Sequence, residues 1–192
     1  MTTTAPEHDR SPTVPDTTTA ALTPGRILGE ELYDETLAHF TRKPGAPDPA
    51  VVAAQVRECA RYLHLVSRHP DRLAGLFLPV EQDIDEVWHF LILQTREYRD
   101  LCEQRLPGGH FIHHRSISYD AYRTTETEPE AGTVETADPS RATVAEEALR
   151  WIPLYAEAFG GFDAEGFPHW TVVRFLHEEL GLSLAEINAL DG

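Results

Sequence analysis

Apolar residues recur along this chain at three- and four-residue steps, and period-two alternation is nowhere sustained, so the pattern predicts helices and no sheet. From Ile84 to Cys102 the positions Ile84, Val87, Trp88, Leu91, Thr95, Tyr98 and Cys102 trace one face of a single amphipathic helix. Upstream, Ile27, Leu28, Leu32, Leu37 and Phe40 predict a helix from Gly25 to Arg42, broken by Pro44 to Pro47. Asp48 is placed as an N-cap with Pro49 in the first turn, opening a helix to about Ser67 whose inner stripe is Val52, Val56, Ala60 and Leu63. Farther on, Thr143 and Glu146 read as a capping box for a helix to Phe159, closed by Gly160 and Gly161, with Trp151, Leu154, Tyr155 and Ala158 as its apolar face. A helix over Thr171 to Leu180 and a short one opened by Ser183 and Glu186 complete the chain.

Fold class is therefore all-α: one helical domain over 24–192, with a core over 50–115 and C-terminal helices over 143–190. Residues 1–23, rich in Thr and Pro, offer little apolar surface and are expected to be disordered. The stretch 121–141 carries Glu126, Glu128, Glu130, Glu135 and Asp138 and is expected to be a flexible acidic linker.

The helix at Ile84 to Cys102 also carries chemistry. At about 100° per residue, Asp85 and His89 stand roughly 40° apart and one turn along the axis, so their side chains can converge. Phe90 and Leu93 make the surrounding turn apolar almost all round, so this pair is expected to be covered by protein and to need polar partners. Pro107, Gly108 and Gly109 stop the helix, and His110, His113 and His114 follow within five residues. In an extended segment His110 and His114 share one side and His113 faces the other, so one or two of them can meet His89. Two imidazoles and a carboxylate suit iron, zinc, copper or manganese, and an open position would permit catalysis. The candidate ligands are Asp85, His89, His113 and His114, with Trp88, Arg96, Tyr98 and His110 as candidates to orient a ligand or substrate.

The run Ile84-Asp85-Glu86-Val87-Trp88-His89-Phe90-Leu91-Ile92-Leu93, with Thr95, Tyr98, Cys102 and then Phe111-Ile112-His113-His114, resembles the core motif of the glycine-rich domain-containing protein-like family and its bacterial members. Arg61 to Leu65 is similar to the helix that precedes the motif in that family. The resemblance covers about a third of the chain, roughly residues 50 to 115. It implies a helical core in which the motif residues form a site, and a role in specialised metabolism; it defines no reaction. His110 stands where the family more often has arginine, and no cysteine follows Cys102.

Composition narrows the function further. Thirty-two acidic against sixteen basic residues give a net charge of −16, which repels nucleic acid and anionic membranes. Cys59 and Cys102 fall within helical patterns and read as reduced, buried residues of a cytoplasmic chain. No apolar run reaches the roughly 18 residues of a membrane span, and no signal sequence opens the chain. Two function classes follow: a small metalloenzyme acting on a small molecule, or a non-catalytic scaffold in which Asp85, His89 and a later histidine form a structural knot. A third, a helix-turn-helix regulator built on Phe175 to Ile187, lacks basic residues after Arg174 for phosphate contact.

Overall fold

The protein is described here by a computed structural model that covers residues 22–73, 76, 78, 80–114 and 140–190, with 140–146 as backbone only. The N-terminal stretch and the acidic stretch singled out above lie outside these residues, apart from the ends of each.

The organising element is α3 (Pro49–Arg68), which begins where its cap dictates: the Asp48 carboxylate accepts the Ala50 N–H at 2.8 Å, and Pro49 occupies the first turn. Its two faces serve two cores. Val52, Val56, Cys59, Ala60 and Leu63 pack on Ile84, Val87, Trp88 and Leu91 of α5 (Gln82–Leu93), while Leu65 packs into a second cluster with Trp151, Tyr155 and Trp170. At about 1.5–3 kcal/mol for each fully buried aliphatic side chain, this α3–α5 contact is what fixes the face of α5 that is left outward. Tyr62 lies at the seam and touches both clusters.

Before α3, the single helix expected over Gly25 to Arg42 is two: α1 (Pro24–Leu28) and α2 (Glu30–Thr41). Gly29 separates them at φ 89°, and a Cβ there would lie 2.8 Å from the Arg105 guanidinium carbon, so both the turn and the close approach require glycine. After α3 comes the single turn α4 (Pro70–Leu73).

The helix expected to run unbroken from Ile84 to Cys102 is interrupted as well. Gln94 leaves helical geometry at φ −80°, ψ 60°, and α6 (Thr95–Asp100) starts afresh, running into a π-helical turn at Leu101–Arg105. In an unbroken helix Trp88 and Tyr98 would be about 15 Å apart along the axis. Across the break, Trp88 Nε1–H donates to Tyr98 Oη at 2.9 Å.

The C-terminal part comprises α7 (Ser140–Phe159), a 3-10 turn at Phe167–His169, α8 (Thr171–Glu178) and α9 (Leu184–Asn188). Because α7 starts at Ser140, Thr143 stands inside the helix and is not its N-cap. The Ser183–Glu186 capping box is present on α9. That helix has five residues, buries Ile187 and bonds Phe162 through Asn188, so this hairpin packs against the core and presents no recognition helix. Among the described residues there is no strand, only an isolated bridge between Val80 and Trp170. No helix among them is long and apolar enough to cross a membrane.

Candidate metal centre

Asp85 and His89 occupy adjacent turns on the outward side of α5, and His114 comes to them from the segment that follows the π turn. One ligand atom from each of the three lies within 4.8 Å of the others. His114 Nε2 is 2.7 Å from Asp85 Oδ1, and His89 Nδ1 is 3.2 Å from Asp85 Oδ2. The two imidazoles face each other with centroids 4.3 Å apart. His89 Nδ1 also lies 2.8 Å from the Asp85 carbonyl oxygen, so a tautomer that donates from Nδ1 satisfies that carbonyl and leaves the Nε2 lone pair for a ligand bond.

The pair was expected to be covered, and it is not. The His89 side chain is 50% exposed and that of Asp85 39%, while His114 is 12% exposed. Leu93 itself lies out in solvent, and Phe90 turns toward α2 and stacks on His39 at 4.2 Å, so neither apolar neighbour covers the pair.

Besides its bond to Asp85, His114 is placed by a chain of neutral hydrogen bonds to the backbone before it. Trp88 Nε1–H donates to Tyr98 Oη, and Tyr98 O–H donates to the Ile112 carbonyl at 2.8 Å, pinning the backbone two residues before His114. The buried Trp88 ring then meets the His114 ring edge to face at 4.4 Å. Trp88 and Tyr98 thus contact His114 and the backbone that leads to it. The remaining candidates stand apart from the group. His113 is exposed, with its ring 5.0 Å from Phe111; His110 lies over Gly108; and Arg96 is exposed on α6 beyond the Gln94 break. Between the two histidines left open by the sequence, the alternation of the extended segment brings His114 inward.

The donor set fits an ion. Ligand atoms held at about 2.1 Å from a metal lie roughly 3 to 4 Å from one another, so a group whose atoms lie within 4.8 Å of one another must draw in by side-chain rotation to close on an ion. One carboxylate and two imidazoles make it a borderline nitrogen–oxygen site. Sulfur takes no part: burial, and secondarily the Asp85 charge, pushes the Cys59 thiol far up, and both cysteines are fully buried.

Two further polar clusters drew no notice in the sequence. Asp83 accepts from His169 Nδ1 at 2.6 Å and from Gln55 Nε2 at 3.1 Å, tying α5 to the 3-10 turn. Burial alone would raise the Asp83 carboxyl, but the His169 bond and charge, Gln55 and the Ile84 N–H together hold it below the ordinary value. Glu58, fully buried on α3, takes Arg57 Nε at 2.8 Å, Arg61 Nη1 at 2.9 Å, Tyr155 Oη at 2.5 Å and Trp170 Nε1 at 3.1 Å. Glu58 stands about 200° round α3 from both Val56 and Ala60, on the face opposite the stripe read from the sequence, so periodicity gave no signal for this cluster.

The fold and site thus define an all-helical protein with a candidate Asp/His metal-binding group. Comparison of the chain with protein-family models, with curated proteins and with solved structures finds no match. The family resemblance of residues 50 to 115 accordingly rests on the motif itself.

Proposed function

We propose that Asp85, His89 and His114 hold a transition metal ion, iron, zinc or copper, and that the protein is a small metalloenzyme acting on a small molecule. The observation that carries this reading is convergence together with exposure: three ligand groups from two elements meet at a point that solvent can reach. Three protein ligands leave coordination positions open, where a bound ion would polarise a substrate or activate water. A structural knot would gain most from burial, and the Trp88–Tyr98–Ile112 bonds already secure the segment without the triad.

The family reading is supported by the way the motif residues divide their tasks. Asp85, His89 and His114 form the group, Trp88 and Tyr98 place it, and Cys102 fills the core behind. The charge of −16 favours neutral or cationic small molecules over nucleic acid or anionic lipid as partners.

Protein purified without chelator is expected to contain near-stoichiometric metal. His89→Ala and His114→Ala lose it, whereas His113→Ala retains it. With metal at 100 times its dissociation constant, the apo protein gains about 2.7 kcal/mol. An apo protein whose unfolding midpoint is unmoved by zinc, iron or copper overturns the reading.

A further inference from the structure

The two candidate ligands on α5 have between them a carboxylate that the metal group does not use. Asp85, Glu86, Val87, Trp88 and His89 stand in order as ligand, glutamate, two spacers and ligand. On a helix that holds a metal by residues at i and i+4, a glutamate at i+1 stands where it can take a proton from water on the ion. The His-Glu-x-x-His helices of zinc proteases are built this way. Here aspartate stands at the first ligand position, and His114 supplies the second imidazole from another segment. Two imidazoles and one carboxylate are also the protein donors of catalytic zinc sites.

All five residues lie within α5, so helical geometry fixes their placement. At about 100° and 1.5 Å per residue, Glu86 lies roughly 60° round the helix from His89 and about 4.5 Å along its axis. Residues three apart have Cβ atoms about 5–6 Å from one another, within reach of a shared ligand. Trp88, which packs on His114, lies about 100° from His89 in the opposite sense. The protein ligands therefore gather on the Trp88 side, and the coordination positions left open face outward and toward Glu86.

Glu86 is exposed, and its hydrogen-bond partner is Gln82 Nε2 at a long 3.4 Å, so little competes for its carboxylate. It also lines a cleft of about 410 Å³, together with Gln82 and Asp83 of α5 and the apolar Phe40 and Ala46. That volume is in the range of small-molecule sites. The lining carries two carboxylates, Asp83 and Glu86, against one cation, Lys43. With a chain charge of −16 behind it, the cleft repels a phosphate ester and admits an uncharged ester or amide.

We propose that the protein hydrolyses small uncharged esters or amides, with Glu86 as the general base and this cleft as the seat of the acyl substrate. This rests on the metal reading above and narrows it to hydrolysis. A bound ion would supply polarisation of the substrate carbonyl and of water. Glu86 takes a proton from that water: a water O–H bond breaks and a Glu86 O–H bond forms. The water oxygen bonds to the acyl carbon, and the bond from that carbon to the leaving oxygen or nitrogen breaks. Glu86 then returns the proton to the leaving atom. Water is the one co-reactant, and no electron donor or acceptor takes part.

The test compares the zinc-loaded full chain with Glu86→Gln, which keeps the size of an exposed side chain and is expected to leave the unfolding midpoint unchanged. The probes are zinc itself, p-nitrophenyl acetate, and acetohydroxamate, a metal-chelating acyl analogue that sheds a proton on binding. The parent protein is expected to bind one zinc, to hydrolyse the ester only when zinc is present, and to be inhibited by acetohydroxamate. Glu86→Gln is expected to keep its zinc affinity while hydrolysis falls about 100-fold. Acetohydroxamate, left without an acceptor for its proton, binds that variant about tenfold more weakly. Ala46→Trp, which fills the cleft, is expected to raise KM with zinc retained. A parent protein that binds no zinc defeats the metal reading and this inference together. Four results overturn the hydrolase inference alone: a zinc-loaded parent without hydrolysis, a Glu86→Gln protein in which either hydrolysis or acetohydroxamate affinity is unchanged, loss of zinc from that variant, which would make Glu86 a ligand, and an unchanged KM in Ala46→Trp.

Discussion

Tyr98→Phe separates the positioning of the proposed metal centre from its candidate ligands, because it removes one oxygen and keeps the ring. That oxygen accepts the Trp88 Nε1–H at 2.9 Å and donates to the Ile112 carbonyl at 2.8 Å. Tyr98 is 1% exposed and Trp88 7%, so no water replaces the lost acceptor, and the indole N–H is stranded at a cost of about 1–3 kcal/mol. The Ile112 carbonyl is only partly buried and can turn to solvent, adding about 0.5–1 kcal/mol. The variant is therefore expected to lose about 2–3 kcal/mol, a fall in unfolding midpoint of roughly 5–10 °C for a chain of this size. With the backbone before His114 released, metal affinity is expected to drop about 10- to 100-fold although all three ligands remain. Calorimetric unfolding of the apo protein and a competitive metal titration, made on the same preparation, read the two quantities separately. A variant that matches the parent in both would refute the assignment of Tyr98 as the anchor of this segment. A variant that loses stability while keeping full affinity would show that His114 is placed by something else.

Other expectations follow from the remaining buried polar groups. Glu58→Ala strands two guanidinium groups, a phenol and an indole, and is expected to cost about 3–5 kcal/mol, read as a lower urea midpoint. The Asp83 carboxyl is depressed in the folded state, so its contribution is complete above the ordinary carboxylate range and is lost as pH falls below about 4. Asp83→Asn should remove that part of the acid dependence of the unfolding midpoint. His64 is lowered to about 4, first by burial and then by Arg68 and His69. The folded state then resists a proton that the unfolded chain accepts, so stability is full above pH 6.5 and declines as pH falls toward 4, by on the order of 3 kcal/mol. His64→Phe is expected to flatten that slope in unfolding curves recorded between those two values.

The parts of this protein that depend on near neighbours were legible in its sequence. Helical periodicity involves residues three and four apart, so α3, α5 and α8 could be read directly, as could the Asp48 cap, the Ser183–Glu186 box and the approach of His89 to Asp85. The interruption at Gln94 was not legible, because Leu91, Thr95 and Tyr98 keep a helical period across it. Exposure of the pair could not be read either, since an apolar Leu93 predicts cover unless the packing of α2 and α3 is known to lie on the other side. Tertiary structure alone chose His114 over His113, and it alone joined groups far apart in the chain. Asp83 and His169 are 86 residues apart, Glu58 and Tyr155 are 97, and Glu58 and Trp170 are 112. Local propensity carries no information about such pairs. They form because packing α3 against both cores buries a carboxylate and an indole together, and buried polar groups must then find each other.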